Sequence, residues 1–363
     1  MSVWVVVGGQ YGSEGKGKIA AFITQQEQID ICVRCGGPNS GHCFVDESGV
    51  FRALRQIPTG YIRPRTRLLI PSGGLIDLAV LRQELSVLGL GPDRVGIDSR
   101  AMVIEQRDRE AEQELNLRGR ISSTLCGVGS AVSRRVLRGE DVQLARDAAA
   151  HETWLKPYLV DASAEINDGI DRGKKVLVEG TQGFGLSLYH SETYPKTTSR
   201  DVSTAGAVSE CGISPMLVTN IVLVLRTFPI RVAGQQAGPM FEEIDWETIR
   251  EESGYHHPVR EYTTVTGKLR RVGRFDLDLA KRAILINRPT SIALNFLDYI
   301  SAENRDARSV EGLADSTKFF LARMQAQLSI PIAYGGVGPR LTDTFPVARP
   351  SASRHQISDR VSA

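Results

Sequence analysis

The sequence predicts an α/β fold, a single domain with a mostly parallel central β-sheet flanked by helices. Three observations carry that expectation. Residues 3–7 are a short, almost wholly apolar run, as a strand buried on both faces requires. A glycine-rich loop follows at residues 8–17 and opens into a helix-like stretch, Lys18-Ile19-Ala20-Ala21-Phe22-Ile23. Further apolar runs then alternate with stretches of helical spacing. Residues 29–33 read as a second strand, and Leu68-Leu69-Ile70 as another, stopped by Pro71-Ser72-Gly73-Gly74. Residues 77–88 place Leu and Val at helical spacing. Residues 175–178 and 218–225 are buried-strand candidates, the second long and β-branched. A helix over 277–286 leads to a last strand over 291–297. The stretch 234–262 is polar and aromatic, with Glu242, Glu243, Asp245, Glu247 and His256-His257, and reads as an excursion on the rim. Residues 1–345 make up the expected domain, and the polar tail 346–363 is expected to fray.

Composition excludes several classes. Hydrophobic residues make up 41% of the 363 and charged residues 24%, the proportions of a folded globular chain. Lys and Arg number 44 against 42 Asp and Glu, a formal charge of +2, so no global charge draws the chain to nucleic acid or to a membrane. No apolar run approaches the ~20 residues that span a bilayer. The first residues lack the basic-then-apolar pattern of a secretory signal. Five cysteines are an odd count with a single CxxC, Cys32 and Cys35, and no second pair to complete a zinc ribbon, which argues against a disulfide framework or zinc ribbon and suits a cytoplasmic protein.

The strongest local signal is Val5-Val6-Val7-Gly8-Gly9-Gln10-Tyr11-Gly12-Ser13-Glu14-Gly15-Lys16-Gly17-Lys18. Glycines let backbone N–H groups turn inward, and the helix N-terminus adds positive potential, so the loop suits a phosphate with Lys16 on its oxygens. It is not a Walker A motif. Gly17 stands where GxxxxGK[ST] needs Ser or Thr, and the span from Gly9 to Gly15 is one residue too long.

A second motif, Arg34-Cys35-Gly36-Gly37-Pro38-Asn39-Ser40-Gly41-His42, follows a predicted strand. Together with Gly12 to Lys18 it resembles the adenylosuccinate synthetase family, whose pattern is GDEGKGK followed by GGxNAGH. Further matches keep the family's order: Leu69-Ile70-Pro71-Ser72-Gly73, Glu179-Gly180-Thr181-Gln182-Gly183, Tyr194-Pro195-Lys196-Thr197-Thr198-Ser199, the stretch Thr266 to Gly273, Leu297-Asp298 and Gly338-Pro339. The resemblance covers residues 3 to about 345. It implies a P-loop-related fold and a homodimeric ligase that joins L-aspartate to a purine nucleoside monophosphate, using a nucleoside triphosphate and Mg²⁺. The purine O6 is phosphorylated first, and the aspartate amine then displaces phosphate. Such phosphoryl transfer rests on positioning and charge neutralisation.

The resemblance also implies roles. Ser13, Lys16, His42 and Gln182 are the expected catalytic residues, with His42 a general acid. Gly12, Ser13, Glu14, Gly15, Lys16, Gly17, Asn39, Gly41, His42, Thr124, Gln182 and Thr198 are expected around the nucleotides and their phosphates. Ser13 and Gly41 are expected at Mg²⁺. Arg134 or Arg135, with Arg138 as an alternative, is expected to reach the partner subunit's nucleotide. Val265, Thr266, Gly267, Lys268 and Arg270 are expected to hold aspartate. Asn295, Leu297, Asp298, Gly336, Gly338 and Pro339 are expected at the donor base.

One departure matters most. The family carries aspartate at Ser13, where it removes the purine N1 proton; a serine hydroxyl is a poor base. A phage-encoded subgroup that makes N6-succino-2-amino-2'-deoxyadenylate from dGMP, for 2-aminoadenine DNA, carries serine there. Guanine has an exocyclic amino group beside N1, and the smaller residue makes space. Lys268 in place of arginine, and Asn295-Phe296 in place of Thr-Lys, lean the same way, with ATP or dATP favoured over GTP as donor. An ordinary synthetase acting on IMP with GTP, and a catalytically silent nucleotide-binding paralogue, are the alternatives.

Overall fold

The computed structural model describes residues 2–263 and 267–347. Val265, Thr266 and most of the expected tail lie outside the described residues. A ten-stranded sheet forms the centre. Its strands are β1 (Ser2–Gly8), β2 (Ile31–Arg34), β3 (Arg67–Ile70), β4 (Val95–Asp98), β5 (Leu159–Val160), β6 (Lys175–Glu179), β7 (Val218–Arg226), β8 (Ser291–Asn295), β9 (Ile332–Gly336) and β10 (Thr344–Pro346). Across the sheet the order is β10-β9-β8-β7-β1-β6-β2-β3-β4-β5. Every pairing is parallel except β9 with β10. This is the α/β architecture that the sequence predicts.

Alternation along β1 explains the two cores. Val3, Val5 and Val7 point to one face, where they pack with helices Ala162–Asp171, Thr204–Cys211, Leu277–Asn287 and Asp315–Leu328. Trp4 and Val6 point to the other face, against α1 (Lys16–Gln26), α2 (Leu78–Leu88) and Leu155. Each fully buried Val, Ile or Leu contributes about 1.5–3 kcal/mol, so a strand apolar at every position needs helices on both sides. Asp77 caps α2 by accepting from the N–H groups of Ala79 and Val80, both at 3.1 Å.

The polar stretch is more ordered than a rim excursion. Strands Ile230–Arg231, Glu243–Ile244 and Arg271–Gly273 form a small antiparallel sheet. With helix Trp246–Ser253 they enclose Phe228, Ile230, Trp246, Ile249, Tyr255, Val259 and Val272. No helix among the described residues is long and apolar enough to cross a membrane.

Candidate active site

A cavity of about 1290 Å³ opens at the carboxyl ends of the parallel strands. Crevices of this kind are where open α/β sheets bind ligands. It is lined from the loops after β1, β2, β6, β8 and β9, and by residues from the small antiparallel sheet. Among the expected site residues, Gly12, Ser13, Gly15, Lys16, Gly17, Asn39, Gly41, His42, Thr124, Gln182, Thr198, Lys268, Arg270, Asn295, Asp298, Gly338 and Pro339 line it. Distant segments of sequence thus converge on one space.

The loop after β1 is held from beneath. Glu14 is fully buried, and its Oε1 accepts from the N–H groups of Gln10 (3.1 Å) and Gly12 (2.8 Å). Its Oε2 accepts from Lys16 Nζ at 2.6 Å. Glu14 is therefore a brace of the loop, and its side chain does not line the cavity. Ser13 sits in the left-handed region at φ 57. Its carbonyl accepts from Arg226 Nη1 at 3.0 Å, and the next carbonyl, of Glu14, accepts from Asn295 Nδ2 at 2.7 Å. Asn295, expected at the donor base, thus spends its amide on this loop. Arg226 is fully buried, ion-paired with Glu261, and lies 3.8 Å over the Phe296 ring.

His42 begins the hairpin of His42–Val45 and Phe51–Leu54, and its ring is buried. Nδ1 contacts Glu179 Oε1, while Nε2 is buried with no hydrogen-bond partner. Burial, then the nearby Arg34 charge, hold the imidazole down to about 4, so the ring is neutral at pH 7. Burial would raise the Glu179 carboxyl, but His42, Arg34 and the Thr59 N–H outweigh it and hold the group below its ordinary value. Gly17 lets the hairpin approach, because a Cβ there would lie 2.5 Å from His42 Cβ.

On the donor-base side, Asp298 accepts from Tyr255 OH at 2.7 Å and is raised to about 6 by burial. Lys18 donates to the Gly338 carbonyl at 2.6 Å and is lowered to about 8 by burial. Leu297 and Gly336 are buried and do not line the cavity. Gly267 does not line it either. Arg134 is taken up by Asp108 and Glu105, with three contacts at 2.8 Å, and Arg135 donates to the Ser72 carbonyl at 3.1 Å. Neither lines this chain's own cavity, while Arg138 is exposed at the end of their helix. Tyr11, Glu112, Arg231, Glu261, Phe296 and Tyr299 also line the cavity and were not expected there. Tyr11 and Phe296 had a signal, since Tyr11 stands within the glycine-rich loop motif and Phe296 in an expected motif where the family has lysine.

The sequence profile of the family described as Adenylosuccinate synthetase matches residues 5–146 and 140–305. The chain belongs to the adenylosuccinate synthetase family. Adenylosuccinate synthetases are carbon–nitrogen ligases that join aspartate to a purine nucleotide with a nucleoside triphosphate. The synthetase of Pyrococcus horikoshii is 39% identical over 341 residues, covering 93% of this chain and 96% of that one. The Methanocaldococcus jannaschii synthetase is 37% identical, covering 94% and 95%. The fully ligated Plasmodium falciparum adenylosuccinate synthetase shares the fold at a TM-score of 0.82, with 21% identity over 96% of this chain and all of that one. The cyanophage S-2L succinoaminodeoxyadenylate synthetase, solved with dGMP and with dATP as energy donor, superposes at a TM-score of 0.80. It is 28% identical and covers 97% of each chain.

Proposed function

We propose that the chain ligates L-aspartate to C6 of dGMP with ATP or dATP, giving N6-succino-2-amino-2'-deoxyadenylate. The observation that carries this reading is Ser13. It lines the cavity from a loop whose backbone is fixed by Arg226 and Asn295, at the motif position where the family has aspartate. A hydroxyl leaves room for the guanine 2-amino group and accepts a hydrogen bond from it. Phe296, in place of the family's lysine, presents a ring to the cavity and suits a stacked donor base. Similarity to the dGMP-binding cyanophage enzyme supports the same substrate.

In this mechanism Lys16 leaves Glu14 for the transferring phosphoryl group and neutralises its charge. Asn39, Thr124 and Thr198 hold the acceptor phosphate, and Gln182 holds the base edge. As O6 attacks the γ-phosphorus, N1 gives its proton to solvent and the nucleoside diphosphate leaves, while His42, with Nε2 toward O6, takes up a proton once the triphosphate charge lies beside it. O6 leaves with phosphate when the aspartate amine attacks C6, while Lys268 and Arg270 hold the carboxylates. Ser13 and Gly41, which both line the cavity, would hold a Mg²⁺ carried in by the triphosphate, the Ser13 hydroxyl and the Gly41 carbonyl being the oxygens such a hard cation prefers. Bound with the triphosphate, it supplies charge neutralisation. The enzyme works as a homodimer in which an arginine of the helix Val128–Leu137 or its end reaches the partner's nucleotide.

The archaeal relatives favour a second reading, ordinary adenylosuccinate synthesis from IMP with GTP. The deciding experiment is aspartate-dependent phosphate release with dGMP, GMP, IMP and dIMP as acceptors and ATP, dATP or GTP as donor. Preference for dGMP supports the proposal. Preference for IMP returns the chain to the second reading, and no release with any acceptor marks a silent binder.

A further inference from the structure

Glu179 ends β6, and no step of the proposed reaction uses it. Its carboxylate is fully buried and its accepting positions are filled. Oε1 accepts from Arg34 Nη1 at 3.1 Å and contacts His42 Nδ1. Oε2 accepts from the Thr59 N–H and the Thr59 hydroxyl, both at 2.8 Å. A carboxylate paired with a guanidinium and an amide only accepts, so Nδ1 of His42 carries a proton and donates it. Nε2 is then the remaining nitrogen, buried and unpartnered in a ring that lines the cavity. The same Arg34 also donates to the Ser40 carbonyl at 2.8 Å, which ties the loop before His42 to this group.

We propose that Glu179 is a positioning residue for His42. It fixes the tautomer and the ring orientation, so that Nε2 is the nitrogen offered to the substrate. An imidazole without such a partner divides its population between two tautomers and two ring orientations. A buried carboxylate that selects one of them is worth orders of magnitude in rate where the other nitrogen does the chemistry. The inference rests on His42 acting in the proposed reaction.

The test is a double-mutant cycle on the full-length chain with Glu179→Gln, His42→Asn and both together. Aspartate-dependent phosphate release is measured with whichever acceptor and donor the wild type prefers. Glu179→Gln should lower kcat by about 10²-fold, with nucleotide KM values within about threefold. In the His42→Asn background the same substitution should change kcat by less than about threefold, because its effect passes through the ring. Equal losses in both backgrounds overturn the inference and leave the reading of His42 intact. Full kcat in His42→Asn overturns both. Nitrogen NMR of ¹⁵N-histidine wild-type protein, assigned by the signal missing from His42→Asn, decides even where Glu179→Gln does not fold. A proton on Nδ1 is expected, and a proton on Nε2 instead overturns the assignment.

Discussion

Gly17 lies in the first turn of α1, where an added Cβ would meet His42 Cβ at 2.5 Å, His42 Cγ at 3.0 Å and Thr59 Cγ2 at 3.2 Å. Carbon atoms in contact prefer about 3.5 Å, so Gly17→Ala forces His42 back by about 1 Å. The substitution recovers about 1 kcal/mol of helix propensity. Overpacking costs about 1–3 kcal/mol, which leaves a net loss of roughly 0–2 kcal/mol. Folding should therefore survive with a melting temperature lowered by only a few degrees. Activity should not survive as well. A displacement of about 1 Å in a reacting group costs about 10²-fold in rate. The assay is kcat for aspartate-dependent phosphate release, read beside thermal unfolding. A Gly17→Ala protein with wild-type kcat would refute the claim that this close approach sets the position of the His42 ring.

Three further predictions test the site. Ser13→Asp should reduce turnover of dGMP relative to IMP, and improved dGMP turnover would sink the steric argument. His42→Asn should slow phosphate release by about 10²-fold or more, as loss of a proton-transfer group does; unchanged release would remove His42 from the mechanism. Asp298 is raised from 3.8 to about 6, so the folded state holds its proton where the unfolded chain has lost it. That stabilisation is full below pH 3.8 and is lost as pH rises through about 6. Two units correspond to about 3 kcal/mol, so Asp298→Asn should gain stability over wild type on going from pH 4 to pH 7.5. Denaturant unfolding at both pH values checks it, and an equal difference at both would show that burial does not shift this carboxyl.

Much of the fold is legible in local pattern, and the exceptions have physical causes. Apolar runs mark β1, β2, β3, β6 and the second half of β7 because there the chain is buried on both faces. Val95-Gly96-Ile97-Asp98 and Ile332-Ala333-Tyr334-Gly335-Gly336 escape notice because glycine and aspartate interrupt them. Gly336 answers to a neighbour, since a Cβ there would lie 2.1 Å from Asn295 Oδ1. The strand expected over 291–297 stops at Asn295, where Phe296 turns left-handed at φ 64 and carries its ring to the cavity. The loop motifs name much of the cavity lining. They do not reveal Arg226, Glu112 or Tyr299, whose place depends on how remote segments meet, nor that Arg134 is committed to Asp108.

The same long-range contacts explain how position 13 can change at all. A buried ammonium stripped of its counter-charge is costly, and loss of an aspartate beside Lys16 would orphan it if that aspartate were its partner. Lys16 is instead neutralised by Glu14 at 2.6 Å, one residue further on. Arg226 holds the carbonyl of Ser13 and not its side chain. Backbone position and local charge balance are thus both set by groups other than the residue 13 side chain. That side chain can be exchanged without dismantling the loop, which makes it a place where substrate choice can change while the phosphoryl-transfer machinery stays. It follows that Ser13→Asp should fold with an almost unchanged melting temperature and the same Lys16–Glu14 pair. A large loss of stability would mean that the serine is required by the loop and not by the substrate.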